Sequence, residues 1–160
     1  MNGRQKKKPW AAAVLLALIV AGSVCCEFFM TKDPAFMDLA DSERAPGGEF
    51  LFGTDALGRD LFSMIWYGGR ISLLIGCVST LLSTAIGVVL GALCGFAPGW
   101  LDLALMRFVE IFLSVPTLLL IVFLQAAAGE QNAFTIAVVI GATGWCGIAK
   151  VVRTEVQRLR

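Results

Sequence analysis

Over residues 71–97 the chain carries no charged side chain, and that stretch restricts its possible folds more than any other feature. As a helix it would extend about 40 Å, beyond the roughly 30 Å core of a bilayer. A run this long and apolar reads as a membrane span that tilts or protrudes. Within it Ser79, Ser83, Gly87, Gly91 and Gly95 recur at every fourth position. Such a stripe of small residues lets a second helix approach closely, so helix-against-helix packing is expected there.

Composition carries the same message through the whole chain. Hydrophobic residues make up 58% of the 160 and charged residues 16%, against about 25% charged in an ordinary soluble domain. The charges cluster between long apolar runs, which makes this an all-α, polytopic membrane protein. A net charge of +1 offers no electrostatic footprint for nucleic acid, and the basic residues beside apolar runs read as topology signals. Five cysteines and no histidine form neither a disulfide framework nor a metal-ligand spacing, so neither metal nor cofactor is expected. Cys77, Cys94 and Cys146 fall inside apolar segments as small hydrophobes, and Cys25-Cys26 close the first one.

Read in order, the chain suggests four spans. Arg4, Lys6, Lys7 and Lys8 precede an apolar run over residues 10–26, an uncleaved signal anchor with a cytoplasmic N-terminus. Residues 27–70 are the one long polar connection. Its acids, Glu27, Asp33, Asp38, Asp41, Glu43, Glu49, Asp55 and Asp60, outnumber Lys32, Arg44, Arg59 and Arg70, as expected of a solvated outer loop. The span over 71–97 then leads to an inner turn at 98–102. The third span, over 103–128, holds Arg107 and Glu110 three apart near its inner end, where they can pair and anchor. Pro116 should kink it. An outer turn at 129–132 precedes the fourth span, over 133–149. Lys150, Arg153, Arg158 and Arg160 follow it, which returns the chain to the inside. By this reading residues 1–50 form tail, anchor and the start of the outer segment. Residues 51–70 carry a motif, and 71–160 form the membrane domain proper.

The motif is the polar run Leu-Phe-Gly-Thr-Asp-Ala-Leu-Gly-Arg-Asp-Leu-Phe-Ser over residues 51–63. Thr54 or Asp55 can act as a helix N-cap. Leu57, Leu61, Met64, Ile65 and Gly68 then share one helical face, and Asp55 and Arg59 stand four apart on the other. This suggests a short amphipathic helix with Trp66 and Tyr67 at headgroup depth, broken at Gly68-Gly69 before the next span. The alternative is a solvated loop followed by a helix start. The run has no phosphate-loop lysine and follows no strand, so it is no nucleotide site.

The same run resembles the segment ahead of the second transmembrane helix in inner-membrane permeases of dipeptide, oligopeptide and nickel ABC importers, closest to their C-type partner. Gly53, Thr54, Asp55, Gly58, Arg59, Asp60, Ser63, Gly69, Arg70, Ile71 and Ser72 carry the resemblance. Later pieces agree with it: Gly99-Trp-Leu-Asp102 with Arg107 and Glu110, Leu113-Ser-Val-Pro-Thr117, and Trp145 through Lys150, Arg153 and Glu155. The resemblance implies a six-helix permease in the bacterial cytoplasmic membrane. It pairs with a second permease, is driven by two cytoplasmic ATPases and is supplied by an extracytoplasmic solute-binding protein. It implies a transporter subunit rather than an enzyme, with peptides, nickel or related small solutes as cargo. It also implies a cytoplasmic coupling loop and two further spans after residue 160, so the chain reads as incomplete. A small membrane scaffold with no transport of its own is the competing reading.

Overall fold

An apolar helix, α1 (Trp10–Val24), begins the part of the chain that the computed structural model describes, residues 10–97, 99–129 and 132–159. The basic tail at 1–9, the turn residue Pro98, part of the turn at 129–132, and Arg160 lie outside the described residues. Among the described residues the regular secondary structure is helical, with one isolated antiparallel bridge between Thr54 and Asp60. The chain forms two compact units that divide inside α3, between Leu73 and Leu74.

In the first unit the α1 helix stops at Val24, because Cys25 leaves helical geometry (φ −90°, ψ 22°), and a single turn, α2 (Cys26–Phe29), follows. At 15 residues α1 covers about 22 Å, less than a bilayer core. A polar segment runs from there to residue 60, with one 3₁₀ turn at Leu39–Asp41 whose Asp38 side chain accepts from the Ala40 N–H. Helix α3 (Leu61–Phe96) then begins and continues for 36 residues.

Two expectations are corrected here. Residues 51–60 form no amphipathic helix, because Gly53 (φ 78°) and Gly58 (φ 73°) adopt left-handed backbone that a helix does not accommodate. Nor do Gly68 and Gly69 break anything, since both lie inside α3. A methyl on Gly69 would come within 2.7 Å of the Ser23 Oγ on α1. The absent side chain is thus used for close approach between helices, which offsets glycine's poor helix propensity of about 1 kcal/mol.

In the second unit the rest of α3, α4 (Gly99–Ser114) and α5 (Thr117–Ala128) all pack on α6 (Ala133–Leu159). Val109, Trp145, Cys146 and Ala149 form its core, with Ile86, Leu90, Met106 and Phe112 against them. Helices α4 and α5 meet at a bend of 84° across Val115-Pro116. Helix α6 does not end with its apolar stretch but carries the basic flank on one continuous helix to Leu159.

Among the described residues two helices, α3 and α6, are long and apolar enough to cross a membrane, and the bent pair α4–α5 makes a third if it is one span. The expected four passes are therefore not all present as full-length helices, the difference lying in the shortness of α1. Much of the apolar surface faces outward: Leu118, Leu119, Val122 and Phe123 of α5 are each about two-thirds exposed or more. Side chains of that kind suit an acyl-chain environment, and the chain is an integral membrane protein.

Candidate functional site

The polar motif folds into a knot of hydrogen bonds at the start of α3. Asp60 stands just before the helix and acts as its cap, its Oδ2 accepting from the Ser63 N–H at 3.2 Å. The same oxygen accepts from the Ser63 hydroxyl at 2.6 Å and from the Thr31 hydroxyl at 2.8 Å. Ser63 Oγ in turn accepts the backbone N–H groups of Thr31 and Lys32, both at 3.2 Å. Two motif residues thus tie the segment after α2 to the first turn of α3. Ser63 is wholly buried, and Asp60 nearly so, with its Oδ1 lacking a hydrogen-bond partner.

Asp55 organises the tight turn ahead of this cap. Its Oδ1 accepts from the N–H groups of Leu57 and Arg59, each at 2.9 Å, and its Oδ2 takes the Arg59 guanidinium at 2.8 and 2.7 Å. The expected Asp55–Arg59 pair therefore forms across a side-chain-capped turn rather than along a helix. Gly58 is needed because a Cβ there would strike the Asp38 carbonyl oxygen, and a Cβ at Gly53 would strike that of Arg44.

Thr54 is the link back to the preceding strand of chain. Its hydroxyl donates to the Asp41 carbonyl and accepts from the Arg44 N–H at 2.8 Å, while its own N–H donates to the Arg44 carbonyl at 3.1 Å. Arg44 also pairs with Asp41 at 2.8 Å and Glu49 at 3.4 Å. Lys32 pairs with Glu49 and lies 3.8 Å from the ring centre of the buried Phe50.

Arg70 stands apart from this knot, further along α3, where its guanidinium meets Glu27 at 2.5 Å. Trp66, between them, packs on Gly22 of α1 and stacks against Phe29, ring centres 5.9 Å apart.

The electrostatics follow the hydrogen bonds. The Arg59 N–H, reinforced by the Arg59 guanidinium and the Leu57 N–H, outweighs burial and holds the Asp55 carboxyl below the usual carboxylate range. Burial pushes Asp60 upward, but the Ser63 and Thr31 bonds outweigh it and the net displacement is also downward. Both residues are therefore ionised acceptors at neutral pH. Almost every polar atom of the motif is spent on the protein itself. The arrangement sets the shape of a loop, and the motif's one hydroxyl–carboxylate pair, Ser63 on Asp60, is buried. Among the described residues no three His, Cys, Asp or Glu side chains gather as metal ligands do.

In the second unit the small-residue stripe lies against α6. Ser83 Oγ donates to the Gly141 carbonyl at 2.9 Å. A methyl on Gly87 would lie 2.7 Å from Ile148 Cβ, one on Gly91 2.6 Å from the Ala149 carbonyl oxygen, and one on Gly95 2.5 Å from Val156 Cγ1. Ser79 is buried at the same seam, where its backbone oxygen would lie 3.1 Å from a methyl on Gly141. Arg107 and Glu110 pair at 2.9 Å on the exposed face of α4. Pro116 occupies the break between α4 and α5.

Sequence reasoning missed the bond that closes this unit. Arg153 Nε and Nη2 each donate at 2.5 Å to the two oxygens of Asp102, and Gln157 adds a third bond at 3.2 Å. The local sequence marks Asp102 only as part of a turn and Arg153 only as a topology signal. The available clue was one acid and one base, each just past an apolar run at the same expected membrane depth. Thr31 was missed in the first unit, where nothing in its local sequence marks it.

Residues 87–160 match the family described as binding-protein-dependent transport system inner membrane component. The chain is 33% identical over 157 residues to the oligopeptide transport system permease protein OppC of Bacillus subtilis, covering 98% of this chain and 51% of that protein. It is 32% identical to the dipeptide transport system permease protein DppC of the same organism, covering 98% and 49%. Against the Haemophilus influenzae OppC the identity is 35% over 158 residues, covering 98% and 50%. The chain spans about half the length of these curated relatives. By its matched segment and by these relatives, the chain is similar to inner-membrane components of binding-protein-dependent transport systems.

Proposed function

We propose that this chain supplies part of the membrane wall of an ATP-driven importer whose cargo is peptides. The observation that carries the reading is the similarity along 98% of the chain to permeases named for oligopeptide and dipeptide transport. The fold supports it: a close-packed α3–α6 seam for a helical wall, and a stiffened polar loop at one end of α3. On this reading the partners are a second permease, two cytoplasmic ATPases and an extracytoplasmic solute-binding protein. The motif residues Gly53 through Ser63 act as a rigid platform rather than as cargo ligands, because the side chains of Thr54, Asp55, Arg59 and Ser63 are engaged within the loop and Asp60 is buried.

The charge pattern supports a cytoplasmic N-terminus, with residues 31–60 outside. Ser63 is buried, so a label there would report nothing. Gly48, which is exposed, is the better position. Gly48→Cys, with the exposed Cys25 and Cys77 replaced by serine, should react with a membrane-impermeant maleimide in intact spheroplasts. Labelling only after lysis would invert the topology. Transport itself is tested by co-purification with an ATPase pair and ATP-dependent uptake of a labelled peptide library into proteoliposomes. Failure to recruit an ATPase by the chain extended through the expected coupling loop would favour the non-transporting scaffold.

A further inference from the structure

We propose that the groove between α4 and α6 holds the phosphate headgroup of an anionic phospholipid, with Lys150 as its principal cation. The groove measures about 360 Å³ and is lined by Leu103, Met106, Arg107, Glu110, Lys150 and Arg153. Its charges do not cancel. Glu110 neutralises Arg107 and Asp102 neutralises Arg153, whereas Lys150 makes no ion pair among the described residues. One surplus positive charge remains, the amount a single phosphodiester offsets. The two neighbouring guanidiniums have further N–H donors to offer the same group.

Depth and shape favour a lipid over an acidic protein surface. Lys150 is the first charged residue after the apolar stretch of α6, the level at which headgroups lie. Trp100, Leu103 and Arg107 share one face of α4 at helical spacing, and the first two are largely exposed. A phosphate at Lys150 would therefore have an apolar bank beside it for glycerol and the upper acyl chains, where a soluble acidic partner would bury nothing. The inference needs only a membrane-embedded chain and is independent of the transport reading.

The test is native mass spectrometry of the full chain released from nanodiscs of equal phosphatidylcholine and phosphatidylglycerol. Phosphatidylglycerol should be retained preferentially, and Lys150→Gln should reduce that preference about fivefold. Lys150→Arg should keep it, which separates loss of charge from loss of fold. Lys32→Gln, in the other unit, should leave it unchanged. Equal retention of the two lipids would overturn the proposal, as would an unaltered preference in Lys150→Gln. So would an equal loss in Lys32→Gln or Lys150→Arg, or displacement of the lipid by millimolar inorganic phosphate.

Discussion

Arg153 grips both carboxylate oxygens of Asp102, joining the first turn of α4 to the last third of α6 across 51 positions of sequence. The fork is bidentate and only partly exposed, so removing one partner strands the other near the membrane surface. Asp102→Asn should lower stability by roughly 1–3 kcal/mol, read from denaturant unfolding in detergent micelles. Arg153→Lys should lose most of the same amount, because an ammonium cannot reproduce the two parallel bonds. A double-mutant cycle with no coupling would show that the two residues act independently.

The α3–α6 seam makes a sharper forecast. Gly91→Val should weaken it by about 1–3 kcal/mol through overpacking against the Ala149 carbonyl and Val152. Gly76, with nothing within 4 Å of its added methyl, should accept alanine without loss. Comparable melting of both variants would mean that α6 does not lie where the structure places it.

At Gly58 the constraint is backbone as well as space. Gly58→Ala should cost about 1–3 kcal/mol locally, from positive φ together with the clash on Asp38. Gly48→Ala serves as the control, since its methyl meets nothing within 4 Å. Limited proteolysis of the 31–60 segment is the measurement. Equal cleavage rates would remove the case for a stiffened loop.

Acid should loosen that loop. Asp55 and Asp60 both have carboxyl groups depressed in the folded chain. Their contribution is fully present above the unfolded value of about 4 and declines as pH falls below it toward the folded values. Amide exchange at Thr31 and Lys32, corrected for intrinsic rates, should stay level above about pH 4 and rise as pH falls below it. Asp60→Asn should show fast exchange already at neutral pH.

The large features of this fold were legible because bilayer burial writes itself into long uncharged runs, and the Ser79-to-Gly95 stripe states its own partner requirement through spacing alone. The motif at 51–63 was legible as a unit but not as a shape. A 3.6-residue periodicity through Leu57, Leu61 and Met64 suggested helix, while the decisive facts were the side-chain bonds of Asp55 and the left-handed Gly53 and Gly58. Periodicity does not register either one. The Thr31 and Asp102 contacts were hidden for a different reason. Each partner lies tens of residues away, and a hydroxyl or carboxylate gives no sign of which distant group it will meet.

The corner at Val115-Pro116 has a consequence for how the chain tolerates lipid. Ser114 returns its hydroxyl to the Ile111 carbonyl at 2.6 Å, and the Pro116 carbonyl receives both Leu119 and Leu120 N–H groups at 2.9 and 3.2 Å. Hydrocarbon offers no water to quench a bared peptide oxygen. By covering the Ile111 oxygen with the Ser114 hydroxyl and starting the next helix at the Pro116 carbonyl, the backbone changes direction while keeping those two oxygens hidden from the oil.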